Sequence, residues 1–169
     1  MSTRSFIGKI RKDRSVDVIY CHFDGYLEHV GYILYTYYAK SERIDKLLAL
    51  GDISCLYPKL APDSGCFHSY DHPQVDVTVA YARDRGESGC ELNHYQNLSE
   101  FLIDYDDSWC EWVYLFDELD QKWYYAQGVI YGEDDLMLLA SAFEHGTGVS
   151  DNSLEKFVGI SDAEEQQSC

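Results

Sequence analysis

Two stretches of this chain, 5–22 and 109–129, each read as a pair of β-compatible runs folded about a polar turn, and between them the apolar spacing changes to threes and fours. A fold carrying both sheet and helix satisfies that change, because side chains alternate along a strand but return every three to four residues on a helix. In the first stretch Ser5–Arg11 and Val16–His22 flank the turn Lys12-Asp13-Arg14-Ser15. Val16, Val18 and Tyr20 share one face by period two, leaving Asp17 and Ile19 on the other. In the second, Trp109–Phe116 and Lys122–Val129 flank Glu118-Leu119-Asp120-Gln121, with both arms rich in the aromatics that sheet positions favour.

Between the hairpins, Leu27, Val30, Ile33, Leu34 and Tyr37 or Tyr38 predict a helix. A break near Ala39-Lys40 precedes a second helix, with Ser41 as N-cap, Ile44, Leu47 and Leu48 as its apolar face and Gly51 as its stop. Residues 51–74 contain all three prolines and predict a long irregular connection, of a kind that is often functional or mobile. Val75, Val77 and Val79 then alternate as a strand, Arg83-Asp84-Arg85-Gly86-Glu87 turns the chain, and Asn97 or Ser99 opens a short helix carrying Phe101 and Leu102. A last helix is expected over Asp134–Glu144, stopped by Gly146. The expected architecture is α+β: an antiparallel sheet built from two hairpins and a middle strand, packed with three to four short helices. It forms a single acidic domain over 1–160, followed by a flexible acidic tail over 161–169.

The charge is unevenly placed. The net charge is −17, yet residues 1–50 hold eight basic and six acidic side chains, whereas 51–169 hold five basic and twenty-four acidic. Between Ser99 and Asp120 there are eight carboxylates and no basic residue. Such a surface repels phosphates, so direct nucleic-acid binding is not expected. It favours a basic partner instead, although solubility alone is the simpler reading. No apolar run approaches the roughly 20 residues a membrane span needs, and residues 1–14 lack the apolar stretch of a secretory signal. A cytoplasmic protein without membrane contact is expected. Its six cysteines, spread without a C-x-x-C pair, then read as reduced thiols.

Several residue groups invite a chemical reading. Cys66, His68 and His72, with Cys55 and Asp71 nearby, lack the close cysteine pair of a structural zinc site, so they read as a polar loop and no metal or cofactor is expected. Cys21 and His22, adjacent on a strand, point to opposite faces and cannot form a thiolate pair directly. Ser2 as an N-terminal nucleophile has no supporting residue, and the common phosphate-loop, nucleophile-elbow and paired-histidine zinc motifs are absent. No catalytic residue is assigned. An alternative ligand site gathers His22, Asp24, Arg83 and Arg85 at one end of the sheet, where the arginines could grip a phosphate or carboxylate or simply pair with neighbouring acids. The acidic run offers a partner-binding surface: Asp104, Asp106, Asp107, Trp109, Glu111, Trp112, Asp117, Glu118 and Asp120 mix carboxylates, which imitate phosphates, with aromatic rings. The plainer reading is a solvated helix end and loop.

Five segments taken in order carry a resemblance: Ser2-Thr3-Arg4-Ser5, Ile19 to Tyr26 (Ile-Tyr-Cys-His-Phe-Asp-Gly-Tyr), Val30-Gly31, Leu50-Gly51-Asp52-Ile53-Ser54, and Ala80-Tyr81-x-Arg83-Asp84-Arg85-Gly86-Glu87. Across about residues 2–125 the chain resembles a family of small, mostly uncharacterised proteins of bacteriophages and integrated mobile elements. After about Gly128 it departs from that pattern. The resemblance implies a setting, an accessory protein in the cytoplasm of a bacterial host cell, and carries no catalytic assignment. By analogy of setting, small acidic phage proteins of this kind look like inhibitors of host defence, including anti-CRISPR and anti-restriction proteins. The expected partner is a host defence protein with a basic surface. Two other readings stand beside it: a small-molecule or nucleotide binder using His22, Asp24, Arg83 and Arg85, and a regulatory protein acting through oligomerisation.

Overall fold

The structure, a computed structural model, describes residues 2–144. Strands β1 (Ser5–Ile10) and β2 (Val16–Cys21) form the first hairpin, with Ser5 opposite Cys21 and Ile10 opposite Val16. A π-helical turn, Leu27–Gly31, runs directly into α1 (Tyr32–Tyr37), and α2 (Ser41–Leu48) follows after the expected break. Ser41 is the first helical residue of α2, preceded by Lys40 at the cap position. Its hydroxyl does not cap the helix, because it accepts a 2.6 Å hydrogen bond from the Lys9 ammonium.

Three short strands come next: β3 (Ile53–Cys55), β4 (Val79–Ala80) and β5 (Asn93–Tyr95). Helix α3 (Leu98–Asp106) is capped by Asn97, whose side chain accepts from the Glu100 N–H at 3.0 Å. Strands β6 (Trp112–Asp117) and β7 (Lys122–Gln127) make the second hairpin, and β8 (Met137–Leu138) leads into α4 (Leu139–Glu144).

All eight strands belong to one sheet, ordered β4-β3-β2-β1-β6-β7-β8, with β5 pairing beside β3 along the opposite end of β2. Most pairings are antiparallel, but β1 runs parallel to β6 from Ser5–Trp112 to Ile10–Asp117, and β2 runs parallel to β3. The expected antiparallel sheet is corrected to a mixed one. A tight turn forces antiparallel pairing only inside its own hairpin. The two hairpins meet through β1 and β6, whose relative direction is set by the long connection between them.

Two local expectations also change. The run Val75, Val77, Val79 is not one strand: Val75 is exposed, Asp76 takes a φ of 63°, Val77 makes only a bridge to Lys59, and extended pairing starts at Val79. A left-handed residue cannot continue a strand. The helix expected over Asp134–Glu144 begins only at Leu139. Before it, Glu133–Asp135 form a 3₁₀ turn, and Met137 and Leu138 pair with Tyr125 and Tyr124. The open edge of β7 offers backbone hydrogen bonds that a first helical turn would forgo. Gly146 and residues 161–169 lie outside the described residues.

The sheet is packed on both faces. On one, Ile7, Ile19, Tyr114, Phe116 and Trp123 meet Ile33, Leu34, Ile44, Leu47 and Leu48 from the helices after β2. On the other, Ile10, Val16, Val18, Val113 and Leu115 meet Leu98, Phe101, Leu102 and Tyr105 of α3. Val16 and Val18 do oppose Ile19, as the period-two reading requires.

Gly51 ends the second helical segment with a φ of 72°, and a Cβ added there would lie 2.0 Å from the Cys90 carbonyl oxygen. Both the left-handed conformation and the backbone contact exclude a side chain. Gly51→Ala is therefore expected to cost about 3 kcal/mol, read as a lower midpoint in urea unfolding with an unchanged slope.

The proline-bearing connection is tied down rather than loose. Tyr38 donates its hydroxyl to the Tyr57 carbonyl at 2.8 Å, and Arg83 reaches the Leu60 carbonyl and, at 2.6 Å, that of Thr78. His68 contacts Asp84 at 3.1 Å, with both side chains buried.

Candidate functional site

The acidic run is contiguous in sequence but divided in space. Asp104, Asp106, Asp107 and Glu111 lie at the end of α3 and the start of β6, while Asp117, Glu118 and Asp120 lie at the far end of β6. Six residues of strand separate the groups by about 20 Å. The second group is largely neutralised. Arg14 pairs with Asp117 at 2.7 Å, Lys9 with Glu118 at 3.2 Å, and Asp120 accepts from the Tyr124 hydroxyl and the Lys122 N–H. In the first group no ion pair forms among the described residues. Asp104 accepts a 2.8 Å hydrogen bond from Tyr95, and Asp106, Asp107 and Glu111 are exposed.

Helix electrostatics sharpen the contrast. The carbonyl end of a helix carries partial negative charge, so cations stabilise it and anions there cost about 0.3–1 kcal/mol each. Helix α3 ends in Asp104 and Asp106 with Asp107 at its C-cap, and its last turn has no basic residue. This arrangement opposes the stability of the isolated chain.

Beside these carboxylates stand exposed apolar groups. Trp109 is 84% exposed, Ile103 67%, Val129 63% and Tyr131 88%. Their segments adjoin: the Tyr105 hydroxyl donates to the Gly128 carbonyl at 2.9 Å, and the Gly128 N–H donates to the Glu111 carbonyl at 2.9 Å. The loop 128–133 thus lies along α3, with Gly132 and Glu133 sharing a shallow cleft with Ser99 and Leu102. Ile103, Val129 and Tyr131 were not legible as part of this surface, because nothing in the local pattern tells that the second hairpin's exit returns to α3. Trp112 diverges from Trp109. It stacks on Tyr114 and Tyr125 at centroid distances of 6.2 and 6.3 Å, half-buried on the opposite face of the sheet.

A second polar cluster is buried. The Lys9 ammonium, fully buried, donates to Ser41 Oγ at 2.6 Å and Asp45 Oδ1 at 2.9 Å, beside Glu118. Arg11 joins Asp45 to Asp17, and His94 contacts Asp17 at 2.6 Å. A serine beside a lysine can form a nucleophile–base pair only if the amine is neutral. Two carboxylates flank Lys9 Nζ at 2.9 and 3.2 Å, so the cluster reads as an ion-pair lock of α2 onto β1.

The four residues of the alternative ligand site go to separate tasks. His22 Nδ1 lies 2.7 Å from the Tyr20 hydroxyl, and burial first, then the Arg4 charge, hold its pKa below the ordinary value. Asp24 adopts a φ of 57° at the Asp-Gly turn, where its carboxylate and the Tyr26 phenol interact. Arg83 forks onto Asp84 at 2.7 and 2.9 Å and anchors the 56–78 connection, and Arg85 pairs with Glu87 at 2.9 Å and lies over the Tyr70 ring.

Burial works to raise the Asp84 pKa, but the bonds from Arg83, the Ala80 N–H and His68 outweigh it and leave the value lowered. Asp45 is lowered likewise, with Lys9 and Arg11 overcoming burial. A depressed folded-state pKa adds stability that is present above the unfolded value and lost as pH falls through the folded one. Thermal unfolding is expected to drop on acidification below the ordinary aspartate value of 3.8, and Asp84→Asn is expected to flatten that drop.

Among the described residues Cys21, Cys55, Cys90 and Cys110 are free thiols, whereas Cys66 is disulfide-bonded, which corrects the expectation that every cysteine is reduced. Cys21 is fully buried, and burial drives its pKa far up, while that of Cys110 is pushed up to about 11. No group of three or more metal-ligating side chains occurs among the described residues, and no helix there is long and apolar enough to cross a membrane. No protein-family model, curated protein or solved structure matches the chain.

Proposed function

We propose that the chain is a non-enzymatic binding protein, a phage-encoded accessory factor that inhibits a host defence nuclease of CRISPR-Cas or restriction type by occupying its basic nucleic-acid-binding surface. One observation carries the reading: carboxylates that form no ion pair among the described residues at the end of α3, standing beside exposed Trp109, Ile103, Val129 and Tyr131. Exposed apolar groups rimmed by charge of one sign fit a protein-binding surface. The sign selects the partner, since a lysine- and arginine-lined groove built for phosphate is complementary to it. The phage setting rests on the resemblance over residues 2–125.

In this mechanism Trp109 and Tyr131 are the anchors, each contributing about 2 kcal/mol or more once desolvated, and the carboxylates set encounter rate and salt dependence. Asp117 and Glu118, held by Arg14 and Lys9, contribute little.

The test is capture from lysate of a bacterium carrying defence systems, comparing the native chain with Trp109→Ala/Tyr131→Ala. Retention of a nucleic-acid-processing enzyme by the native chain alone, with release by that enzyme's own guide or substrate nucleic acid, is the expected result. Equal retention by the variant, or indifference to nucleic acid, would remove the reading.

A further inference from the structure

At the end of the sheet where β1 and β6 begin and β2 finishes, one arginine stands apart from the others. Arg11, Arg14, Arg83 and Arg85 each pair with a carboxylate, and Arg43 donates to the Pro58 carbonyl and lies over the Tyr38 ring. Among the described residues Arg4 pairs with no carboxylate and donates no side-chain hydrogen bond, and its Nε is buried without an acceptor. A guanidinium without a carboxylate partner among the described residues keeps its charge and remaining donors for an acceptor beyond them.

The surroundings of Arg4 are built. Its carbonyl accepts from the Glu111 and Trp112 N–H groups at 3.0 and 3.3 Å, and the preceding Thr3 carbonyl accepts from the Gly25 N–H at 2.8 Å. The backbone that presents the guanidinium is thereby clamped between β6 and the Asp24-Gly25 turn. The α3 face of the sheet continues here: Phe6, which packs on Phe101 and Tyr105, also meets the Tyr20 ring at 6.3 Å. Arg4 acts electrostatically on Tyr20, His22 and Cys110, which places its charge at this same corner.

His22 supplies a second donor. Its Nδ1 faces the Tyr20 hydroxyl at 2.7 Å. In the tautomer in which Nδ1 accepts from the phenol, the ring proton sits on Nε2, which has no partner among the described residues. A fixed cation and an aimed neutral N–H are complementary to a compact oxyanion. Phe23, 39% exposed, packs edge-on against His22 at 4.4 Å and offers an apolar wall for an organic group beside that oxyanion. The local carboxylate Asp52 is committed, accepting the Tyr20 N–H at 2.8 Å, and forms no ion pair with Arg4.

We propose that Arg4 and His22, with Tyr20 orienting the imidazole, bind the phosphate group of a small molecule. The net charge of −17 disfavours a polyanion, which restricts the ligand to free phosphate or an organic monophosphate. This site stands independently of the docking surface at α3, and it differs from the sequence-based ligand site in using Arg4 where Arg83 and Arg85 were expected.

The test is an NMR titration of the full chain at constant ionic strength, following the Arg4 Nε–Hε and His22 ring resonances with inorganic phosphate, AMP, adenosine and chloride as probes. Saturable shifts with phosphate and AMP, and none with adenosine or chloride, are expected. Tighter binding of AMP than of phosphate assigns an organic monophosphate, and equal binding assigns free phosphate. Arg4→Ala is expected to weaken binding at least tenfold, His22→Phe to weaken it several-fold, and Asp106→Lys/Asp107→Lys to retain it. Absence of saturable shifts at millimolar phosphate, or unchanged affinity in a folded Arg4→Ala variant, would overturn the proposal.

Discussion

Asp106→Lys/Asp107→Lys is expected to make the isolated protein more stable while it abolishes partner binding. Both side chains are exposed at the carbonyl end of α3, and no basic residue occupies its last turn. Replacing anions there by cations removes an unfavourable interaction and adds a favourable one, worth about 1 kcal/mol together, or a rise of about 3 °C in Tm. The same change sets lysine against a basic groove, where like charges in contact weaken binding by about a hundredfold or more. A merely solvated helix end would show the first effect without the second. A structural role for the two aspartates would show the first effect reversed. Calorimetry of the free chain and titration of the captured partner separate these cases.

A large effect on folding is expected at Lys9. Its ammonium is fully buried and engages Ser41, Asp45 and Glu118, which belong to α2 and to the turn after β6. Lys9→Ala removes the stem from the packed face, leaves Glu118 without its ion-pair partner and leaves Asp45 with Arg11 alone. Loss of one member of a buried ion pair costs about 3–5 kcal/mol, and the partial exposure of Asp45 and Glu118 places the expected loss at the lower end, about 3 kcal/mol. Lys9→Met keeps the stem and should lose less, about 2 kcal/mol, because apolar packing replaces part of what the ion pair supplied. Denaturant unfolding of both variants, read at the midpoint, distinguishes the charge from the packing contribution.

The local architecture was legible where neighbours in sequence decide it. Period two fixed the facing of Val16, Val18 and Ile19, and the turns at 12–15 and 118–121 joined the strands they were read to join. Asn97 capped α3, and Gly51 ended the second helical segment. What escaped is what distant segments decide. The parallel pairing of β1 with β6 joins residues more than a hundred positions apart, and no local pattern encodes its direction. The Met137–Leu138 strand formed because β7 presented an unpaired edge, against a sequence equally suited to helix.

The same distinction governs the sites. Charge density marked the acidic run, but only the fold divides it into a neutralised end at Asp117 and Glu118 and an uncompensated end at Asp104–Glu111. The basic turn at Arg83 drew attention because two arginines stand together, and both are occupied by internal partners. Arg4 carried no such local signal. Its standing follows from the absence of an acceptor among the described residues, which only the fold reveals.

Whether an acidic, aromatic surface takes the place of nucleic acid on a basic enzyme is decided by inhibition of the captured nuclease, titrated at several salt concentrations and several concentrations of its substrate. Inhibition is expected to weaken steeply from about 0.05 to 0.3 M salt and to be competitive with nucleic acid. Inhibition that ignores salt and leaves nucleic-acid binding intact would contradict it.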